Sequence, residues 1–179
     1  TPRGTPTWGS AWKKAVRETY QRVTNVGAQG SVMSYRANYL DLDPTYKDEL
    51  GRPLMRMTFD YQPNEIKMAN WMAERCEAIA KAMGAKTTQI NRLNTPWNVV
   101  PYQSTHNTGG TVTGSDPKTS ALNRYLQSWD VPNVFVMGAS TFPQNAGYNP
   151  TGTVGALTYW ALDAIQKKYL KSPGALVQQ

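Results

Sequence analysis

Residues 54–84 read LMRMTFDYQPNEIKMANWMAERCEAIAKAMG, and this stretch holds the two patterns on which the fold class rests. From Leu54 to Tyr61 apolar and polar side chains alternate, which is typical of a half-buried strand. After Asn64, the expected N-cap, apolar side chains recur at helical spacing until Gly84, where a C-terminal glycine is expected. A strand followed directly by a long amphipathic helix predicts helices packed on a sheet.

On the N-terminal side of this stretch, the same two periods predict one helix and one strand. Apolar side chains recur at helical spacing over residues 10–25, with Ser10 as the expected N-cap. Residues 31–41 alternate and predict a strand, antiparallel to the one that follows. The pair Asp43-Pro44 is expected to end it, because proline cannot donate to a strand ladder.

On the C-terminal side, charged residues become rare. Residues 87–162 contain five charged side chains and many Asn, Thr, Gly, Pro and aromatic residues. Because buried linings use neutral polar groups, this region is expected to face a cofactor, a substrate or other protein. Residues 98–103 and 133–137 predict strands, the second fully buried, and residues 151–168 predict a helix after Pro150. Together these elements predict the α+β class.

Composition excludes several classes of protein and of site. Apolar residues make up 40% and aromatic residues 11%, so a disordered chain is excluded, and no apolar run is long enough to cross a bilayer. One cysteine, Cys76, excludes an internal disulfide framework and a four-cysteine metal site, and it is expected to be buried in the helix. One histidine, His106, leaves no histidine pair, so no metal site is predicted. The net charge of +7 is dispersed, which argues against nucleic-acid binding.

Three polar, glycine-containing segments carry the candidate chemistry: residues 106–111 (HNTGGT), 138–143 (GASTFP) and 147–153 (GYNPTGT). A neutral imidazole at His106 can act as a general base near neutral pH, but a histidine in a polar loop is usually an ordinary surface or hydrogen-bonded residue. The helix expected after Asn149-Pro150 presents free N–H groups and a positive dipole end, which stabilise negative charge. The alternative is that this segment is simply a well-formed helix start.

In this order, the three segments and the closing helix resemble the C-terminal region of glucose–methanol–choline (GMC) flavin oxidoreductases. Residues 106–110, 126–129 and 133–139 are most similar to the branch with gluconate 2-dehydrogenase, fructose dehydrogenase and FAD-dependent glucose (sorbitol) dehydrogenases. The phosphate-binding Gly-x-Gly-x-x-Gly of the family is absent, as is the cysteine cluster of some members. The chain is therefore expected to be the C-terminal, substrate-facing portion of a longer polypeptide.

The resemblance implies oxidation of a CH–OH group of a sugar, polyol or sugar acid. His106 would accept the hydroxyl proton while hydride passes to N5 of FAD, and Asn149 would hydrogen-bond the substrate oxygen. Most of the FAD site would lie outside this chain. The cofactor contacts that the chain itself would contribute are Gly138, Ala139, Asn149, Pro150 and Thr151.

The resemblance also implies how the chain is organised. Residues 1–130 would form a substrate-binding cap portion, a mostly antiparallel sheet covered by helices. Residues 131–171 would form a strand–loop–helix that returns to the FAD domain, and residues 172–179 a flexible tail. The expected partners are the N-terminal FAD-binding portion and a haem-bearing electron-transfer subunit. A periplasmic or partner-mediated membrane location is expected, with the cytoplasm as the alternative.

Two other functions remain open at this point. The first is a non-catalytic carbohydrate-binding or partner-binding module, since six tryptophans and ten tyrosines provide rings that can stack on sugars. The second is a structural subunit of a respiratory dehydrogenase complex.

Overall fold

The computed structural model describes Thr1, residues 4–93, 95–98, Val100 and residues 105–178. The chain divides into two compact units, one of Thr1–Ala28 and Ile66–Asn94 and one of Gln29–Glu65 and Thr95–Gln179. The described part contains helices and small antiparallel sheets, in agreement with the predicted α+β class. The predicted division at residue 130 stays a prediction.

Helix α1 spans Gly9–Thr19 and is shorter than the predicted range of 10–25. The Thr19 carbonyl accepts a hydrogen bond from the Arg22 N–H at 2.8 Å, and this tight turn ends the α-helical ladder. Ser10 lies inside the helix, so its prediction as the N-cap is wrong. The N-cap is Trp8, which makes no side-chain capping hydrogen bond.

Helix α2 spans Pro63–Ala82 and confirms the long helix that the apolar period predicts. It begins one residue before Asn64, so the predicted Asn64 cap is wrong. Proline suits the first helical position, where its missing N–H costs nothing. Cys76 lies in the apolar stripe as expected but is only half-buried.

The C-terminus of α2 matches the predicted glycine stop. Gly84 has φ of +86°, and its N–H donates to the Lys81 carbonyl at 3.0 Å. The next N–H, that of Ala85, donates to the Ala80 carbonyl at 3.1 Å. These two bonds form a Schellman motif, in which the left-handed residue is normally glycine.

We expect Gly84→Ala to lower the free energy of unfolding by about 1 kcal/mol, because a Cβ is strained in the left-handed conformation. Urea denaturation followed by circular dichroism measures the change. Gly27→Ala is the matched control, since Gly27 lacks a positive φ and its added Cβ meets only one atom, at 4.0 Å. Equal losses in the two variants would contradict the assignment.

The described strands form two antiparallel pairs. Strand β1, Ser31–Met33, pairs with β4, Gln144–Ala146, and β2, Tyr39–Lys47, pairs with β3, Pro53–Thr58. Strand β3 confirms most of the predicted strand over 54–61 and its antiparallel partner. Across this hairpin the Arg56 guanidinium donates to Asp41, which holds the pKa of that carboxyl below its usual range.

The prediction of one strand over residues 31–41 is wrong, because a turn separates β1 from β2. In that turn the Asn38 N–H donates to the Tyr35 carbonyl at 3.0 Å. The prediction that Asp43-Pro44 ends the strand is also wrong, since β2 continues through this pair to Lys47. The Asp43 carboxylate accepts the N–H groups of the two residues after Pro44, and the strand pairing is irregular there.

The core of the second unit lies around residues 122–129, a segment for which the sequence predicts no element. Its buried side chains are Leu122, Asn123, Tyr125, Leu126, Gln127, Trp129, Thr141, Phe142, Ala161 and Ala164. Gln127 is fully buried at 0% exposure and uses both ends of its amide. Its Nε2 donates to the carbonyls of Pro132 and Gly174, and its Oε1 accepts from Asn123 Nδ2 and the Leu176 N–H. Gln127 therefore holds part of the predicted tail.

The predicted buried strand over residues 133–137 is wrong. Only Phe135 forms a bridge, antiparallel to Gln127, and Val134 is 43% exposed. The segment instead runs beside the irregular loop of Leu126, whose φ of +60° prevents a regular ladder. The strand predicted over 98–103 lies largely outside the described residues, and Asn98 and Val100 are not in a strand.

Helix α3 spans Thr151–Ala164 and continues directly into a π-helical turn, Ile165–Tyr169, which confirms the predicted final helix. In that turn Lys168 Nζ donates to the Tyr125 hydroxyl at 2.7 Å. This bond and a second from Arg124 lower the pKa of the hydroxyl. No helix in the described ranges has both the length and the apolar character needed to cross a membrane.

Candidate functional site

Backbone hydrogen bonds join two of the three candidate segments. The N–H groups of Gly109, Thr111 and Thr113 donate in turn to the carbonyls of residues 139, 140 and 141, at 3.1, 3.0 and 2.9 Å. Gly109 also lies close to Ser34, since a Cβ added at Gly109 would stand 2.7 Å from Ser34 Oγ. The loop that follows His106 therefore lies along the segment that begins at Gly138.

His106 itself lies in an uncommon backbone conformation. Its φ is +64°, in the left-handed region, where a residue other than glycine is strained. The residue is half-buried, and its carbonyl accepts a hydrogen bond from Asn145 Nδ2 at 3.1 Å. This bond joins the first candidate segment to β4, which lies just before the third.

Asn145 connects three parts of the chain. Besides donating to His106, it accepts the Gly147 N–H through Oδ1 at 3.1 Å, and its carbonyl accepts from Ser31 Oγ at 2.6 Å. Its backbone pairs with Val32 across the two-stranded sheet of β1 and β4. The side chain is thus held from both ends of its amide and from its backbone.

The third segment supplies a helix N-terminus. Pro150 is the N-cap of α3 and the first turn carries no acidic residue and no side-chain cap. The first N–H groups of a helix have no partner within the helix, so in the described part of the chain those from Thr151 to Thr153 are available to a ligand. The positive end of the helix dipole favours negative charge at this point.

A cavity of about 200 Å³ lies against this helix start. Its lining is mostly apolar, and Asn149 and Pro150 are part of its wall. The residues that line it are Phe142, Pro143, Gln144, Asn145, Ala146, Tyr148, Asn149, Pro150, Thr153 and Leu157. Among the described residues, neither His106 nor Gly138 contributes to this wall.

Two further features of these segments bear on ligand binding. Gly138 has φ of +120°, and a Cβ there would meet no atom within 4 Å. The hydroxyl of Thr111 is buried and has no hydrogen-bond partner among the described residues. A buried polar atom without a partner is rare in native structures, so a ligand that hydrogen-bonds this hydroxyl is consistent with the geometry.

The structure joins the candidate segments through Gly109 and Asn145, neither of which is a predicted site residue. Gly109 meets Ala139, the His106 carbonyl meets Asn145, and Asn149 and Pro150 share a cavity wall with Asn145. Within the described ranges no hydrogen bond joins the His106 ring to Asn149, and their pairing stays a prediction. No group of three or more His, Cys, Asp or Glu side chains in those ranges could hold a metal ion.

Sequence reasoning missed two residues of this site. Asn145 lies between the second and third candidate segments. Its importance is visible only from its contact with His106, 39 positions earlier. Thr111 lies inside the first candidate segment, but the burial of its hydroxyl, and its lack of a partner within the described ranges, depend on tertiary packing. Neither feature has a signal in local periodicity.

Comparison with known proteins gives one family match. The GMC oxidoreductase family matches residues 34–158, which include β2, β3, α2 and all three candidate segments. The match therefore covers more than half of the chain and includes both His106 and Asn149.

Several curated proteins are similar to most of the chain. It is 57% identical over 180 residues to the gluconate 2-dehydrogenase flavoprotein of Pantoea cypripedii, covering 99% of the chain and 29% of that protein. It is 32% identical to the 2-methyl-1,2-propanediol dehydrogenase of Mycolicibacterium austroafricanum, covering 90% of the chain and 28% of that protein. It is also 32% identical to the fructose dehydrogenase large subunit of Gluconobacter japonicus, covering 88% and 28%. The chain thus spans less than a third of each relative.

Proposed function

The chain belongs to the GMC oxidoreductase family, and on that premise we propose that it is the C-terminal, substrate-facing part of an FAD-dependent dehydrogenase. The reaction in this proposal is the oxidation of a CH–OH group of a sugar, polyol or sugar acid. The observation that carries the proposal is the hydrogen bond from Asn145 to His106. This bond joins the loop of His106, the candidate base, to Asn145, which lines the same cavity as Asn149.

Each site residue has a separate role in the proposed reaction. His106 accepts the proton of the substrate hydroxyl, because a neutral imidazole can accept a proton near neutral pH whereas an amide cannot. Asn149 hydrogen-bonds the same oxygen and so orients the reacting C–H bond. The free N–H groups at the start of α3 stabilise negative charge that develops beside them. FAD, when bound, supplies the hydride acceptor.

The described residues fit the polar edge of a flavin ring. The uncapped start of α3 offers hydrogen-bond donors without a competing carboxylate, and the space beside Gly138 admits close approach. The Thr111 hydroxyl, which has no hydrogen-bond partner among the described residues, is a further polar group beside these segments. On this basis Gly138, Ala139, Asn149, Pro150 and Thr151 are the contacts that we propose this chain makes with FAD.

The relatives guide the choice of substrate and partner. A relative that is 57% identical is named a gluconate 2-dehydrogenase flavoprotein, so gluconate is the first substrate to test. Another is named a large subunit, which supports a partner subunit for this chain. That the partner bears haem, and that the assembly works in the periplasm, remain parts of the proposal.

Anaerobic reduction of the bound flavin tests the proposed function directly. The full-length, FAD-loaded protein is mixed with gluconate, and then separately with fructose and with sorbitol, while the visible flavin absorbance is followed. We expect at least one of these compounds to bleach the flavin. If dithionite bleaches it and none of a panel of sugars, polyols and sugar acids does, the proposed substrate class is wrong.

The isolated 179-residue chain is expected to bind FAD weakly or not at all, because the sequence lacks the Gly-x-Gly-x-x-Gly unit that holds the pyrophosphate. The measurement is flavin absorbance that co-elutes with the protein on gel filtration after incubation with FAD. The full-length protein in the same buffer is the control. Stoichiometric flavin on the isolated chain would mean that the pyrophosphate site lies within these residues.

A further inference from the structure

We propose that Asn145 is the positioning residue for His106, which it orients through the hydrogen bond from Asn145 Nδ2 to the His106 carbonyl. The inference rests on the proposed function, in which His106 accepts a proton from the substrate. Asn145 itself needs no contact with the substrate in this role. It acts on the reaction through the backbone of the residue that carries the imidazole.

His106 needs such support because its backbone conformation is not one that the residue adopts on its own. Its φ of +64° is strained for a residue with a Cβ, and such strain persists only where surrounding structure holds it. The following glycines, Gly109 and Gly110, also have positive φ and restrain the loop little by themselves. Fixing the His106 carbonyl fixes the peptide plane after it, and with it the direction in which the imidazole leaves the chain.

Asn145 can supply this support because it is itself held in one orientation. Its Oδ1 accepts the Gly147 N–H, so its Nδ2 must face the other way, toward His106. Its carbonyl accepts from Ser31 Oγ, and its backbone pairs with β1. A side chain that is hydrogen-bonded at both ends of its amide has little conformational freedom left, so it can hold the His106 carbonyl in one position.

A matched control for Asn145 exists in the same unit. Asn38 also donates through Nδ2 to a backbone carbonyl, that of Asp60 at 3.0 Å, and accepts the Asp60 N–H through Oδ1 at 3.0 Å. Both asparagines are half-buried. Alanine at either position therefore removes the same kind of amide bridge, but only Asn145 bridges to His106.

The test is a double-mutant cycle in the full-length, FAD-loaded enzyme. Asn145→Ala, Asn145→Asp and Asn38→Ala are each made with His106 present and with His106→Ala. Asn145→Asp is included because it keeps an acceptor for the Gly147 N–H, while it replaces the donor to His106 by a negatively charged oxygen. The readouts are kcat and KM with gluconate and a soluble dye acceptor, and the ¹⁵N signals of the His106 ring in protein labelled with ¹⁵N-histidine.

We expect both Asn145 variants to lower kcat by about 10- to 100-fold with His106 present, with little change in KM, and to cause no further loss in the His106→Ala background. The His106 ring signals should shift in these variants and stay unchanged in Asn38→Ala. An unchanged kcat in the Asn145 variants, an equal loss in both backgrounds, or an equal loss in Asn38→Ala would overturn the proposal. If His106→Ala alone keeps full turnover, the proposed base is wrong, which is a separate result.

Discussion

Replacement of His106 by alanine in the full-length, FAD-loaded enzyme is expected to lower turnover by about 10²- to 10⁴-fold, the usual contribution of a positioned general base. Flavin content should stay the same, because His106 is proposed to act on the substrate hydroxyl and not to hold the cofactor. The measurement is kcat with gluconate and a dye acceptor, together with the ratio of flavin to protein.

Two further variants show whether that loss belongs to the imidazole. Asn107→Ala changes the exposed neighbouring residue and should leave turnover within a few-fold of the parent enzyme. Asn149→Ala should cost less than His106→Ala, because it removes orientation of the substrate and leaves the proton acceptor in place. A His106→Ala enzyme with normal turnover, or one that loses its flavin, would make His106 an ordinary loop histidine or a structural residue.

Replacement of Gln127 by alanine is expected to lower the free energy of unfolding by about 3 kcal/mol, a large effect for a single polar side chain. The change removes four hydrogen bonds and leaves the carbonyls of Pro132 and Gly174 without their donor. Guanidinium denaturation followed by tryptophan fluorescence measures the loss. A companion measurement by hydrogen exchange should show faster exchange at the Leu176 amide.

Gln166→Ala provides the control for this substitution, since Gln166 is exposed and lies in the π-helical turn. It should change the free energy of unfolding by no more than about 0.5 kcal/mol, as is usual for surface positions. Similar losses of unfolding free energy in the two variants would mean that the buried amide of Gln127 contributes no more to stability than an exposed glutamine.

Local sequence patterns predicted the helices and strands whose signals lie within one short stretch of the chain. The apolar period and Gly84 were sufficient for α2, and the alternation before it was sufficient for β3. Residues 31–41 alternate equally well, yet they divide into β1 and β2 because β1 pairs with residues more than 100 positions away. Alternation shows on which face of a strand each side chain lies. It does not show where the chain leaves one partner strand and begins to pair with another.

The core was the least predictable part of the fold. Residues 122–129 have no helical or strand period, and their burial depends on polar side chains such as Asn123 and Gln127 that find partners inside. Burial of a polar group is favourable only when its hydrogen bonds are made, and two partners of the Gln127 side chain, Gly174 and Leu176, lie 47 and 49 positions away. For the same reason the sequence indicated His106 and Asn149 by resemblance but gave no sign of Asn145.

The π-helical turn at Ile165–Tyr169 determines the direction in which the side chains after α3 leave the helix axis. The Leu170 N–H donates to the Ile165 carbonyl, five residues back, so this turn contains more residues than an α-helical turn. Each residue of an α-helix advances the side-chain direction by about 100°. An ordinary α turn here would give Lys168 and the residues after it a direction different from the one in which Lys168 Nζ meets the Tyr125 hydroxyl. The wide turn thus acts as a spacer that brings the last residues of the chain into register with the core.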